Sequence, residues 1–217
     1  MNHNDHVDLL RGGVGSPQGV WADLGCGSGA FTLALAELLD AQSVIYAVDI
    51  DEHALSDLRR RARLRFPDHD IRTLQADFTQ PLGLPPLDGI VMANSLHFHK
   101  EKAPIVLAVR ELLKPAGRLI LIEYNVDRGN PWVPYPISFD TWRELSLRCG
   151  FGSIEKIGAK PSSFLREIYA SVSQRRTAHA SLSAWYPRGI RIRQVPHGGA
   201  LLGPALRRQR PIRGSSC

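Results

Sequence analysis

Short, continuously apolar runs alternate along this chain with longer stretches in which apolar residues return every three or four positions. "VWADLG" (20–25) is apolar and ends in glycine, the pattern of a parallel strand buried on both faces. "FTLALAELL" (31–39) sets Phe31, Leu35, Leu38 and Leu39 at helical spacing. "SVIYAVDID" (43–51) is β-branched and apolar before it turns acidic, and reads as a second strand. "HALSDLRRRARLRF" (53–66) is a basic amphipathic helix with Leu55, Leu58, Ala62 and Phe66 on its inner side. "IRTLQADF" (71–78) and "GIVMANS" (89–95) read as the third and fourth strands. "KAPIVLAVRELL" (102–113) is a helix that stops where Pro115 and Gly117 block continuation, and "RLILIEYN" (118–125) is a fifth buried strand.

The next segment, "VDRGNPWVPYPI" (126–137), has too many prolines for regular structure but carries the bulky Trp132 and Tyr135. "SFDTWRELSLRCG" (138–150) is a helix with Ser138 as N-cap and Gly150 at its end. "GSIEKIGAKP" (152–161) and "REIYASVSQ" (166–174) close the body as an antiparallel pair. Strands alternating with helices predict an α/β fold, a doubly wound and mostly parallel sheet with helices on both faces.

Composition refines the boundaries. The 217 residues, 43% hydrophobic, suit one globular domain with an appendage. The net charge of +6 is unevenly placed: residues 175–217 hold nine arginines and no acid, which leaves residues 1–174 at −3. The expected division is a domain over 1–174 and a basic, disordered tail over 175–217. That distribution argues against a nucleic-acid-binding body and leaves such a role only to the tail. No apolar run is long enough to span a bilayer, and the N-terminus, "MNHNDHVDLL", lacks the layout of a signal peptide. Cys26, Cys149 and Cys217 have no metal-ligand spacing, so no metal is expected; reduced thiols in a cytoplasm are the plain reading.

Chemistry concentrates at "WADLGCGSGAF" (21–31). A glycine turn between strand and helix lets a ligand approach the backbone, with helix-start N–H groups facing its anionic part. A triphosphate loop is excluded, because Gly29 is followed by Ala30 and Phe31 rather than Lys-Ser/Thr. A dinucleotide loop is not excluded by the glycines alone. Asp49, twenty residues after Gly29, is placed to accept from both ribose hydroxyls. Asp77 in "QADF" could accept from an adenine amino group while Phe78 or Ile50 packs on the ring. With Asp23, three carboxylates around one crevice favour a cationic ligand over a pyrophosphate. S-adenosylmethionine has the required sulfonium and ammonium groups.

"WADLGCGSGAFT", "AVDID", "QADF", "LDGIVMANSLHF" and "LKPAGRLILIEY" occur in the order and spacing of the class I S-adenosylmethionine-dependent methyltransferases, which this chain resembles over about residues 18–174. The resemblance implies a Rossmann-like seven-stranded sheet whose last strand is antiparallel. It implies that Asp23, Gly25, Cys26, Gly27 and Gly29 cradle the methionine part of S-adenosylmethionine. Asp49 and Ile50 would then serve the ribose and ring, Asp77 and Phe78 the adenine end, and Asn94 the floor beside the methyl.

Methyl transfer needs alignment in a dry pocket, with a base only when the acceptor arrives protonated. His97, in "NSLHFHK" (94–100), is the candidate base. His99, Tyr124 and Trp132 are candidate substrate contacts, with Asn125 as a further orienter. Asn94 is followed by Ser95-Leu96-His97, not by the Pro-Pro-aromatic run of nucleic-acid amino-methyltransferases, and no cysteine is placed for cytosine C5 chemistry. The pattern resembles the small-molecule branch, acting on O, N or C centres. Little chain precedes the first strand, so "NPWVPYP" is the candidate lid, and a second subunit could complete an open site. The alternatives are a nicotinamide-dependent oxidoreductase, a non-catalytic S-adenosylmethionine-binding module, and an RNA methyltransferase aided by the tail.

Overall fold

A computed structural model describes residues 1–162 and 164–177. Most of the basic tail, from residue 178 on, lies outside the described residues. Helix α1 (His3–Arg11) is followed by β1 (Val20–Leu24), α2 (Ala30–Leu38), β2 (Val44–Asp49), α3 (Glu52–Arg65), β3 (Asp70–Gln75) and β4 (Leu87–Ala93). Then come α4 (Ala103–Leu112), β5 (Leu113–Tyr124), α5 (Phe139–Arg148), β6 (Phe151–Pro161) and β7 (Glu167–Arg175). The seven strands lie in the order β3-β2-β1-β4-β5-β7-β6. The pairs among β1 to β5 are parallel, and β7 runs antiparallel to both β5 and β6. None of the described helices is long and apolar enough to cross a membrane.

The apolar runs are continuous because both faces of the sheet are covered. On one face Val7, Leu10, Phe31 and Leu35 of α1 and α2 pack on Trp21, Ile45, Val91, Ile120 and Ile122. On the other, Ile105, Val106 and Val109 of α4 and Trp142 of α5 pack on Leu24, Val48, Met92, Leu119 and Leu121. Leu55, Leu58 and Ala62 of α3 join Leu33 and Ala47 in a third cluster, on the inner side predicted for that helix. Ser138 caps α5, its Oγ accepting from the amide of Thr141.

Several boundaries differ from the sequence reading, the end of the body among them: β7 runs on to Arg175, the first residue assigned to the tail, whose guanidinium bonds the Arg110 carbonyl and Glu111. Pro115 and Gly117 end α4 as expected, but they sit inside β5: Leu87 pairs with Leu113 and Gly89 with Arg118, so residues 114–117 bulge from the strand. Strand β3 ends at Gln75 and β4 at Ala93, so Asp77, Phe78 and Asn94 stand just beyond the strands. A backbone leaving the ladder is freer to aim side chains at a cleft.

Gly29 fixes how closely α2 and α3 approach. Its φ is +83°, and a Cβ there would lie 2.2 Å from Cδ1 of Leu58. Left-handed strain and overpacking together predict that Gly29→Ala costs about 2–4 kcal/mol, read as a lower urea midpoint. Leu58→Ala in the same chain should recover the steric part; strict additivity of the two changes would show that the contact is not packed.

Candidate functional site

The sheet order reverses between β1 and β4, and their carboxyl ends diverge there into a crevice. A cleft of about 310 Å³ opens at this point, lined by Gly25, Asp49, Ile50, Asp77, Phe78, Asn94, Ser95, Phe98 and His99. That volume is at the lower end of ligand pockets.

The glycine loop is held from below and from the side. The amides of Gly25 and Cys26 donate to the carbonyl of Val48 at 2.8 and 3.1 Å. The amide of Gly27 donates to Asp49 Oδ2 at 2.7 Å, and the amide of Asp51 to Asp49 Oδ1 at 2.9 Å. Arg61 of α3 donates to the carbonyl of Ser28 at 2.8 Å. Asp49 thus clamps the loop to the end of β2 and, lining the cleft, keeps acceptor capacity toward it, since each carboxylate oxygen has two lone pairs.

Of the buried side-chain oxygens without a partner among the described residues, Ser171 Oγ lies in β7, and the other two belong to Asp23 and Asn94 at the ends of β1 and β4. Asp23 is 1% exposed; its Oδ2 accepts from Thr32 Oγ1 at 2.6 Å, while Oδ1 is buried and unpaired. Burial, with Asp49 close by, raises the Asp23 carboxyl to about 7. Asn94, in the left-handed region at φ 52°, has a buried and unpaired Oδ1. Unpaired buried acceptors are costly; Asn94 lines the cleft, while Asp23 lies beneath the glycine loop and outside the cleft's lining. At the other end, Asp77 accepts from the amide and hydroxyl of Thr79 at 2.8 and 2.7 Å, bonds that hold its carboxyl below the usual range. Phe78 meets His99 edge to face at 5.4 Å.

Seven expected residues therefore line one cleft: Gly25, Asp49, Ile50, Asp77, Phe78, Asn94 and His99. Others do not reach it. The Cys26 side chain turns into the α2–α3 cluster, where burial pushes its thiol up, and donates to the carbonyl of Gly27 at 3.6 Å rather than lining the cleft. Gly29 is committed to packing on Leu58. Asn125 is not free to orient a substrate: its amide group bonds Glu167 and the amide of Phe139. Trp132 is 71% exposed and does not pin its loop. Tyr135 does so, its amide donating to the His97 carbonyl at 3.0 Å and its carbonyl accepting from Lys102 Nζ at 2.7 Å.

His97 lies beside the cleft rather than in its lining, 4% exposed, with Nδ1 2.9 Å from Oε2 of Glu123. Oε1 of Glu123 accepts from the amides of Leu96 and His97, both at 3.1 Å. Glu123 is fully buried and was missed in the sequence reading. Its signal was there, a lone acid in the apolar run "RLILIEY". Ser95, whose hydroxyl donates to the Leu24 carbonyl at 2.9 Å, was missed as well.

A reversed-order parallel sheet, a clamped glycine loop, an acid at the end of β2 and an unpaired buried carboxylate oxygen define a nucleoside site that asks for a cation. Residues 22–119 match the family model of a methyltransferase domain. A reducing polyketide synthase from Penicillium is 26% identical over 166 residues, 65% of this chain and 7% of the synthase. The 2-phytyl-1,4-naphtoquinone methyltransferase of Nostoc punctiforme is 26% identical over 104 residues, 48% of this chain and 45% of that protein. The chain thus spans less than half the length of the curated relatives it matches. An N-methyltransferase from Bradyrhizobium japonicum, solved with S-adenosylhomocysteine, superposes with a TM-score of 0.66 at 19% identity, over 79% of this chain and 86% of that one. Residues 22–119 thus match a methyltransferase domain, and the fold is the one shared by solved S-adenosylmethionine-dependent methyltransferases. S-adenosylmethionine is the donor of that class, and the residues around the cleft fit it. The nicotinamide reading falls with this match.

The Asp23 carboxyl sets a pH dependence. In the empty site it is half protonated near pH 7, and pairing with an ammonium requires the ionised form. Affinity for S-adenosylhomocysteine is therefore expected to fall about tenfold from pH 8 to pH 6, with proton uptake by the freed site, and to be flat in Asp23→Asn. Calorimetry in buffers of different ionisation heat checks both. For the ligand-free fold the sign is opposite: a raised carboxyl holds its proton better folded than unfolded. Its contribution to stability is present below the ordinary carboxylate range and lost as pH rises through about 7.

Proposed function

We propose that this domain transfers the methyl group of S-adenosylmethionine to an O, N or C centre of a small metabolite, at the carboxyl ends of β4 and β5. The observation that carries this reading is the unpaired buried oxygen of Asp23 behind the glycine loop. A ligand ammonium satisfies it; a pyrophosphate would be repelled. Asp49 takes the ribose hydroxyls, Asp77 the adenine amino group with Phe78 and Ile50 against the ring, and Asn94 the methionine end. The donor supplies a methyl on a sulfonium, already a good leaving group.

What remains for the chain is to exclude water, align the acceptor and, where it carries a proton, take that proton. His97 takes it. Glu123 accepts a hydrogen bond from Nδ1–H, which keeps the proton on Nδ1, fixes the tautomer and leaves the Nε2 lone pair as the basic position. The small-molecule acceptor is supported by the absence of a Pro-Pro-aromatic run after Asn94 and by the Nostoc relative, named for a naphthoquinone. Buried, free thiols at Cys26 and Cys149 support a reducing, cytoplasmic setting.

His97→Gln should lower turnover at least tenfold with S-adenosylhomocysteine affinity changed less than threefold. Were His97 only a strut for its loop, cofactor affinity would fall with turnover, because Phe98 and His99 on that loop line the cleft. Single-turnover rates and calorimetry on the same preparation decide.

A further inference from the structure

Five of the eight large apolar side chains exposed among the described residues, Ile50, Phe98, Trp132, Tyr135 and Phe164, belong to the cleft and the loops beside it. Part of this set is a continuous line of rings. Phe98, which lines the cleft, stands 4.3 Å from the ring of His97. His97 is 5.9 Å from Tyr124, Tyr124 is 6.0 Å from Phe164, and Phe164 meets Trp132 edge to face at 6.2 Å. Four separate stretches of chain contribute: the turn after β4, the end of β5, the loop 126–137 and the connection from β6 to β7.

Three of these rings gain little from burial: Phe98, Phe164 and Trp132 are 59%, 47% and 71% exposed. Their backbones are nevertheless held. Asn130 Oδ1 accepts from the amides of Trp132 and Val133, each at 2.9 Å, and Val133 is buried. Ser162 Oγ accepts from the amide of Phe164 at 3.1 Å, and the amide of Ser162 donates to the carbonyl of Arg166 at 2.8 Å. Fixed loops presenting uncovered rings beside a cofactor cleft form a surface for a ligand, not a core.

We propose that this line of rings is the acceptor subsite, and that it takes a planar aromatic molecule whose methyl-accepting hydroxyl points to the inner end, at His97 and Phe98. The inference rests on the methyltransferase reading and names its substrate class. Tilted and edge-on to one another, these rings offer both faces and edges to a flat π-system. A saturated ring of the same outline would gain the apolar contact but not the aromatic one. The line extends well past a single ring, so a bicyclic or larger acceptor fits better than a monocycle. At its inner end stand the imidazoles of His97 and of the cleft-lining His99, groups suited to a hydroxyl.

The test is titration of the full-length, ¹⁵N-labelled chain with 2-naphthol and with its saturated counterpart decahydro-2-naphthol. The readout is the indole N–H signal of Trp132, one of four tryptophans, assigned from the signal lost in Trp132→Phe. Saturable shifts with 2-naphthol, at least tenfold weaker with the saturated alcohol, are expected. Phe164→Ala should weaken 2-naphthol binding about fivefold while S-adenosylhomocysteine affinity, measured by calorimetry, stays unchanged. Equal affinity for both alcohols, absence of a Trp132 shift, or unaltered naphthol binding in Phe164→Ala would overturn the proposal. Naphthol binding with no S-adenosylhomocysteine binding would sink the methyltransferase reading and leave the aromatic subsite standing; the converse would sink only the subsite.

Discussion

A single buried carboxylate organises the reacting end of this domain. Glu123, fully buried on β5, faces three donors at once: two amides of the turn after β4 and the imidazole of His97. Burying a charge is tolerable only when its lone pairs are satisfied, and breaking such an arrangement typically costs about 3–5 kcal/mol. That cost is what makes the turn rigid. Beside the bond from the Asn94 amide to the Ile122 carbonyl at 2.9 Å, Glu123 is what ties the chain leaving β4 to β5 and steadies Phe98 and His99 at the cleft. Lys102 adds a second tie. Its buried ammonium donates to the carbonyls of His99 and Tyr135, so the proline-rich loop is held to the same turn. Burial lowers the Lys102 ammonium, with the charge of Glu123 working against that shift.

The other half of the site obeys the opposite rule. Around Glu123 every acceptor is used; at Asp23 and Asn94 an acceptor is left open. An unsatisfied buried group costs about 1–3 kcal/mol, and two of the acceptors so left stand at the ends of the neighbouring strands β1 and β4. The bonds from Gly27 to Asp49 and from Arg61 to Ser28 hold the loop in place above them.

Much of this was legible in the sequence, for physical reasons. Period and turn residues fix elements, and strand ends fix where loops begin; Asp49, Asp77, Phe78 and Asn94 could be placed at one crevice because each follows an apolar run. The glycines of the loop were legible as a turn but not as individuals: Gly29 serves helix packing, and the side chain of Cys26 points inward. Glu123 was passed over because a strand pattern assigns residues to faces without saying what occupies the space opposite. Only the fold shows that the turn after β4 brings its amides over that carboxylate. The line of rings was out of reach for the same reason. Its members are spread from position 98 to position 164, and no local pattern connects them.

The two halves differ in how tightly they are specified, and that difference bears on function. The cofactor side is built into the ends of β1, β2 and β4, the most interlocked part of the sheet, where a shifted backbone would disturb buried packing on both faces. The acceptor side rests on loops whose backbones are tied but whose rings stand in solvent. Loop residues tolerate replacement better than strand ends do. One scaffold can therefore keep its donor chemistry constant while the surface that selects the acceptor changes. Glu123 sits where the two meet: it anchors the turn that carries Phe98 to the cleft and holds the imidazole from which the line of rings begins.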